Sequence, residues 1–269
     1  MTGSRPPDPP DAMTSAATGQ RIELLGLPVH VHDLASLLSA VDRMIASGGR
    51  YTVAYANVHT INIALSEPDV AEFMRRVDLI YCDGNGVRLG AWLAGQHLPP
   101  RMTGADWIDD LGRRASANGH RLFWLGARPG VAEAAAGKLA ERAPGLCIAG
   151  THHGYFAKEG PESDAVVEAI NRAAPDIVLV GLGTPLQERW IAAQRHRIDA
   201  PVVWAIGATA DFLSGEVSRG PAILHQHGLE WLARLLVDPR RLWRRYLVGN
   251  THYLRRLAGE RWTRRRGGP

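Results

Sequence analysis

Short apolar runs alternate with helix-period stretches from Ile22 to about residue 227. The runs 22–25, 51–56 (YTVAYA), 78–82 (DLIYC), 121–125 (RLFWL), 146–149, 176–181 (DIVLVG) and 201–206 (PVVWAI) are four to six residues long. They are mostly β-branched or aromatic, the pattern of strands buried on both faces. Helix starts are marked between them: Asp33 before LASLLSAV, Pro68 in a first turn, Pro129-Gly130 before VAEAAAGKLAER, and Pro185 before LQERWIAAQ. Repeated strand–helix alternation predicts an α/β fold, a mostly parallel sheet with helices on both faces. Beyond residue 227 only helical pattern remains.

Ligands of open α/β sheets bind beyond the carboxyl ends of the strands. The segments that follow the runs are Asn57, Asp83-Gly84-Asn85-Gly86, Gly126 to Gly130, Gly183 to Glu188 and Gly207 to Asp211. They are rich in glycine and polar groups, which suits a phosphate-bearing ligand held partly by backbone N–H groups. Asp83 is the candidate general base, a carboxylate at a strand end; the same residue would equally serve as a helix cap. The turn LGARPGVAEAAA lacks both GxGxxG and the P-loop lysine, and 26–33 (GLPVHVHD) offers no dinucleotide loop, so a nicotinamide oxidoreductase is disfavoured.

Composition narrows the class. The 269 residues, 45% hydrophobic and 22% charged, describe one ordinary globular domain with tails. No stretch of 18 apolar residues suggests a membrane span. Two cysteines without CxxC exclude a disulfide scaffold and point to a reducing, cytoplasmic setting. Eleven histidines invite a metal, but HExxH and DxD are absent. His152-His153 would point to opposite faces of a strand, and His225 and His227 have no carboxylate at ligand spacing, so neither a metal nor another cofactor is expected.

Charge is unevenly placed. Residues 234–266 hold eleven arginines against Asp238 and Glu260, a local charge of +9 in a chain of +4, which leaves −5 for the rest. Taken as one helix at about 100° per residue, 240–262 puts Leu242, Trp243, Tyr246, Leu247, Tyr253, Leu254 and Leu257 on one half. Arg241, Arg244, Arg245, Arg255 and Arg256 fall on the other, with a break expected near Gly249-Asn250 if the helix is a pair. Such a helix lies on an anionic membrane surface or packs on its own domain. Nucleic acid is not expected, since no recognition motif accompanies the charge. Residues 1–20 read as a disordered extension, 21–226 as the α/β core and 227–269 as a basic helical appendage.

The motifs ANVHTINIA (56–64), CDGNGV (82–87), RMTGADWIDDL (101–111), LFWLGARPGVAEAAA (122–136), GTHHGYF (150–156), PDIVLVGLGTPLQERWI (175–191), AIGATADFLSGEVSRGP (205–221) and GLEWLARLLVDPRRLWRRYLVGN (228–250) occur in this order. Together they resemble the WecG/TagA/CpsF glycosyltransferases, family 26, over about residues 22–258. The resemblance implies a Rossmann-like domain with a C-terminal appendage. It implies an inverting, metal-independent transfer of N-acetylmannosamine, its uronic acid or glucose from UDP to a polyprenyl-diphosphate-linked saccharide, in bacterial surface polysaccharide synthesis. The setting implied is the cytoplasm, peripheral to the inner face of the membrane, and a homo-oligomer is compatible with it. A catalytically inactive nucleotide-binding subunit of such a complex is the alternative.

By resemblance, Asp83 is the base and Asn57 and the Thr103-Gly104 pair contact substrate. Tyr155 and Asp211 fall near the uracil end, and Gln187 and Glu188 beside the sugar and diphosphate. Arg234, Arg241 and Arg244 match arginines that close over the diphosphate. Many members carry Thr where this chain has Tyr55, near the sugar, so the resemblance does not carry over the identity of the donor sugar.

Overall fold

The computed structural model describes residues 19–217, 230–237 and 239–266. In chain order the strands are β1 (Arg21–Leu24), β2 (Leu27–His30), β3 (Tyr51–Ala56), β4 (Leu79–Cys82), β5 (Arg121–Gly126), β6 (Cys147–His152), β7 (Ile177–Gly181) and β8 (Val202–Ala205). The helices of the α/β portion are α1 (Leu34–Ala46), α2 (Val58–Ala64), α3 (Pro68–Arg76), α4 (Asn85–Leu93), α5 (Gly104–Asn118), α6 (Val131–Arg142), α7 (Pro161–Ala173), α8 (Leu186–Gln194) and α9 (Thr209–Ser214). Three more follow: α10 (Glu230–Val237), α11 (Pro239–Trp243) and α12 (Gly249–Arg266), with a π-helical turn at Arg244–Val248 between the last two.

Six strands form one all-parallel sheet in the order β4-β3-β8-β7-β5-β6. Parallel strands need crossover helices, which cover both faces and leave two apolar layers. One layer joins Ile80, Val178 and Val203 to Ile61, Met74, Val167 and Trp190. The other joins Leu79, Leu179 and Trp204 to Val41, Trp107 and Leu139. In the second layer Trp107 stacks on Trp204 at 4.4 Å, and its Nε1 donates to Tyr81 Oη at 3.2 Å. This aromatic cluster packs α5 against the centre of the sheet and the end of β4.

The first apolar run behaves differently from expectation. Rather than joining the parallel sheet, 21–24 folds back on 27–30 as an antiparallel hairpin. The second strand, LPVH, was not anticipated, because its proline and the short turn disguise a period-two pattern. The hairpin packs against β4, the edge of the main sheet. There the buried His30 accepts the outward Ile80 N–H through Nδ1 at 3.0 Å. Met102 N–H caps the outward Cys82 carbonyl at 3.0 Å. An exposed edge would be a template for unwanted pairing, and these contacts close it.

Residues 1–18 of the expected N-terminal extension, the division at 226/227, and His225 and His227 lie outside the described residues. The tail forms one path through Gly249, which has helical φ −61 and ψ −46; the irregularity falls just before it, in the π turn. Helix α12 docks on α2 and α4, with Tyr253 and Leu257 buried in the first apolar layer. Gly90 is required for this approach, since a Cβ there would run into the Tyr253 hydroxyl. Asn62 Nδ2 adds a bond to the Gly249 carbonyl at 2.8 Å.

Burial, with His32 nearby, lowers the His30 pKa to about 4. The unfolded chain therefore binds a proton near pH 6.5 that the folded chain refuses until about pH 4. Stability from this group is complete above 6.5 and declines as pH falls through that window, by on the order of 2 kcal/mol near pH 4.5. His30→Gln keeps an acceptor for Ile80 but no titrating ring. Its melting temperature, followed from pH 7.5 to 4.5, should fall less steeply than that of the parent, and parallel curves would contradict the assignment.

Candidate functional site

Parallel pairing of β3 with β4 sets Ala56 opposite Cys82, so the next residues, Asn57 and Asp83, emerge side by side. Asn57 is the N-cap of α2, where its Oδ1 accepts Thr60 N–H at 3.0 Å and its own N–H donates to Thr60 Oγ1 at 2.9 Å. This reciprocal cap immobilises the side chain. Its remaining Nδ2 donates to Asp83 Oδ2 at 3.0 Å. The Asp83 N–H is tied to the Ala56 carbonyl at 2.8 Å. Gly84 follows at φ +139, a conformation nearly confined to glycine, and so turns the chain sharply into α4. A Cβ at Gly86 would collide with Val58, so the first turns of α2 and α4 lie in direct contact.

Asp83 and Asn57 face a cavity of about 340 Å³. Thr103 and Arg101 bring the start of α5 to its wall, and His59 and Asn85 the starts of α2 and α4. Trp231 of α10, Arg245 and Tyr246 of the π turn, and Asn250, Tyr253 and Leu254 of α12 supply the opposite wall. Three of the expected substrate residues, Asn57, Asp83 and Thr103, are thus brought together. Thr103 caps α5 in company with Asp106, whose Oδ2 accepts from Thr103 N–H at 3.1 Å, Thr103 Oγ1 at 2.9 Å and Arg101 Nη1 at 2.8 Å. Gly104 has a packing reason to be glycine, because a Cβ would strike Thr209 Oγ1 of α9.

Tyr55, Gln187 and Glu188 form a separate buried network beneath the ends of β3, β7 and β8. Gln187 Nε2 donates to Tyr55 Oη at 3.0 Å and to Glu188 Oε1 at 2.9 Å, and Gln187 Oε1 accepts Gly207 N–H at 3.2 Å. Thr184 Oγ1 donates to the same Glu188 oxygen at 2.9 Å. Burial, and then the Glu188 charge, push the Tyr55 phenol up to about 12. Burial likewise raises the Glu188 carboxyl. The Cys82 thiol is pushed up to about 12 by burial and by Asp83, so it is an inert thiol at neutral pH.

Tyr155, Asp211 and Arg244 are not among the residues that line the cavity. Tyr155 is 67% exposed beyond β6, and Asp211 sits in the first turn of α9. The Arg244 guanidinium is exposed, 5.3 Å from the Trp243 ring. Arg234 and Arg241 have their backbone in α10 and α11, but their side chains lie outside the described residues. Adjacent His152 and His153 were expected on opposite faces, yet their rings approach to 4.6 Å because β6 ends at His152. Among the described residues no three His, Cys, Asp or Glu side chains gather as a metal site, and no helix is long and apolar enough to cross a membrane.

Arg245 is the main residue that sequence periodicity misplaced. A uniform step of 100° puts it with Arg244 on one polar face; the π turn inserts extra backbone and turns Arg245 into the cavity. The apolar half divides likewise: Tyr253 and Leu257 are buried, whereas Trp243, Leu247 and Leu254 are exposed. His59 had no distinguishing sequence signal; burial and Arg245 lower its pKa to about 4, so it is neutral at physiological pH.

The Glu188 shift has a measurable sign. A raised folded-state pKa means that the buried carboxylate is penalised increasingly as pH rises above its ordinary range. Glu188→Gln preserves shape and the Oε1 acceptor. Its stability relative to the parent should improve between pH 4.5 and 8 in denaturant titrations; a difference independent of pH would show that Glu188 does not titrate with folding.

With this geometry established, comparison with other proteins identifies the family. Two relatives are the N-acetylglucosaminyldiphosphoundecaprenol N-acetyl-beta-D-mannosaminyltransferases of Staphylococcus aureus strains NCTC 8325 / PS 47 and COL, each 28% identical over 226 residues. The same enzyme name is carried by a relative from strain MW2, also 28% identical; in all three, the alignment covers 83% of this chain and 87% of the relative. The glycosyl transferase WecG/TagA/CpsF family matches residues 22–267, nearly the whole chain, and the protein belongs to that family of glycosyltransferases.

Proposed function

We propose that this glycosyltransferase moves a hexosyl group from a UDP-sugar to a hydroxyl of a polyprenyl-diphosphate-linked saccharide, with inversion and with Asp83 as base. The observation that carries this reading is the Asp83 carboxylate, held by Asn57 in the wall of the cavity. In a single displacement the acceptor oxygen bonds to the anomeric carbon while the bond to the UDP oxygen breaks. The hydroxyl proton passes to Asp83, and UDP leaves with the bonding pair. The relatives' names support a donor bearing N-acetylmannosamine and an acceptor whose sugar is N-acetylglucosamine on undecaprenyl diphosphate.

The surrounding residues divide the remaining work. Asn57 holds the carboxylate in place, and the Tyr55–Gln187–Glu188 network stiffens the neighbouring Gly207 backbone. Positive charge must offset the departing diphosphate. In this reading it comes from arginine side chains and not from a metal ion. Exposed Leu236, Trp243, Leu247 and Leu254 suit peripheral contact with the inner face of an anionic membrane, where the lipid acceptor resides.

Two outcomes test the mechanism. Asp83→Asn is close to isosteric and removes the proton acceptor. Transfer should fall on the order of 10²–10⁴-fold while UDP affinity stays near that of the parent. Normal turnover across several pH values would remove Asp83 from the chemistry; a lower melting temperature with full activity per folded molecule would make it only a structural residue. In addition, EDTA should leave the rate within about twofold, well short of the tenfold that 1.4 kcal/mol represents. Abolition with rescue by Mg²⁺ or Mn²⁺ would contradict arginine as the counter-charge.

A further inference from the structure

The cavity that contains Asp83 reaches toward the tail and not toward β5, β6 and β7. None of the residues at the ends of those three strands lines it. Nucleotides occupy the crevice beyond the strand ends of such sheets. Asp83 therefore stands between a nucleotide-side crevice and a tail-side cavity, and a base must face the hydroxyl it deprotonates. The tail-side cavity is accordingly the acceptor half of the site.

Its chemistry is divided in the same direction. Two guanidinium groups line it, and they are not equivalent. Arg101 is paired with Asp106 at 2.8 Å. Arg245 has no carboxylate within ion-pair distance among the described residues. Its Nε is shielded from solvent and has no hydrogen-bond partner there. The guanidinium carbon lies 5.5 Å from the Tyr246 ring, and the group lines the cavity, where a planar fork of N–H donors suits a phosphate. Beyond it the wall turns apolar: Trp231 and Tyr246 lie 6.2 Å apart between ring centres, and Leu89 and Leu254 line the cavity, 45% and 47% exposed.

We propose that Arg245, aimed by the π turn, is a specificity-determining residue that binds the diphosphate of the acceptor, with the first isoprenyl units lying over Leu89 and Leu254. This rests on the glycosyl-transfer reading above. A diphosphate joined directly to hydrocarbon matches a guanidinium that has no carboxylate partner among the described residues and lies beside an apolar slot. A nucleoside diphosphate would instead stack its base on Trp231 or Tyr246, an outcome that titration with UDP separates from binding of the acceptor. Arg245 is thus distinct from Arg244, its neighbour, which faces outward.

Direct binding separates this proposal from the catalytic one. The full chain is titrated calorimetrically with N-acetylglucosaminyl diphosphate carrying a geranyl group, with the corresponding monophosphate, and with UDP. Arg245→Gln should weaken the diphosphate analogue about 10- to 100-fold, as loss of a charged hydrogen-bonding partner does. It should narrow the preference for diphosphate over monophosphate and leave UDP affinity within about twofold. Arg245→Lys should restore part of the affinity, and it guards against a folding defect in the glutamine variant. Arg256→Gln, which removes the same charge from an exposed position on α12, should bind the analogue as the parent does. Unchanged analogue binding in Arg245→Gln overturns the proposal while leaving the Asp83 mechanism intact. An equal or greater loss of UDP affinity also overturns it and assigns Arg245 to the donor diphosphate. Failure of the parent chain to bind any lipid-linked analogue overturns the proposal together with the transfer reading on which it rests.

Discussion

Parallel pairing of β3 and β4 at the sheet edge, with Ala56 opposite Cys82, is the constraint from which the site follows. It delivers two polar residues to adjacent strand ends, where a 3.0 Å hydrogen bond joins them. A one-residue slip would reverse every side chain of β4 and send Ile80 and Cys82 out of their apolar layer. The register is therefore enforced by burial on both faces and by the edge contacts from His30 and Met102. The position of the candidate base is a by-product of core packing, and for that reason it is rigid.

Buried polarity is concentrated close by. Gln187 and Glu188, fully or nearly fully buried, are joined to Tyr55, Thr184 and the Gly207 amide. Such a network contributes little net stability, since each group must leave water to enter it. It does restrict conformations, because any displaced member leaves an unpaired group in a low-dielectric region. The loop after β8 and the end of β3 are thereby held together beneath the site. Among the described residues, the buried Glu188 Oε2 has no hydrogen-bond partner, so the network carries a standing cost at its centre.

The tail completes the cavity through packing of a different kind. Tyr253 and Leu257 enter the apolar layer over Gly90, so α12 is anchored on the two helices that Asn57 and Asp83 immediately precede in the chain. Once α12 is anchored, the preceding π turn determines which arginine faces inward. The same turn leaves Trp243, Leu247 and Val248 on the outside. Docking of one helix thus supplies a cavity wall, a guanidinium that lines it and an exposed apolar strip.

Much of this was legible in the amino-acid order. The six strands of the main sheet announced themselves as short apolar runs, although β6, at the edge, is only half-buried, and Asp33, Pro68, Gly130 and Pro185 marked helix starts because capping and φ restriction are local effects. The ordered motifs sufficed for the family, and they placed Asn57, Asp83 and Thr103 in what became one cavity. The hairpin partner of β1, the contact of His152 with His153, and the inward turn of Arg245 were not legible. Each depends on where a regular element stops or changes pitch, and that is settled by long-range packing. Periodicity assumes a constant step per residue; five residues of π helix, stabilised by the docking of α12, were enough to exchange one arginine for its neighbour.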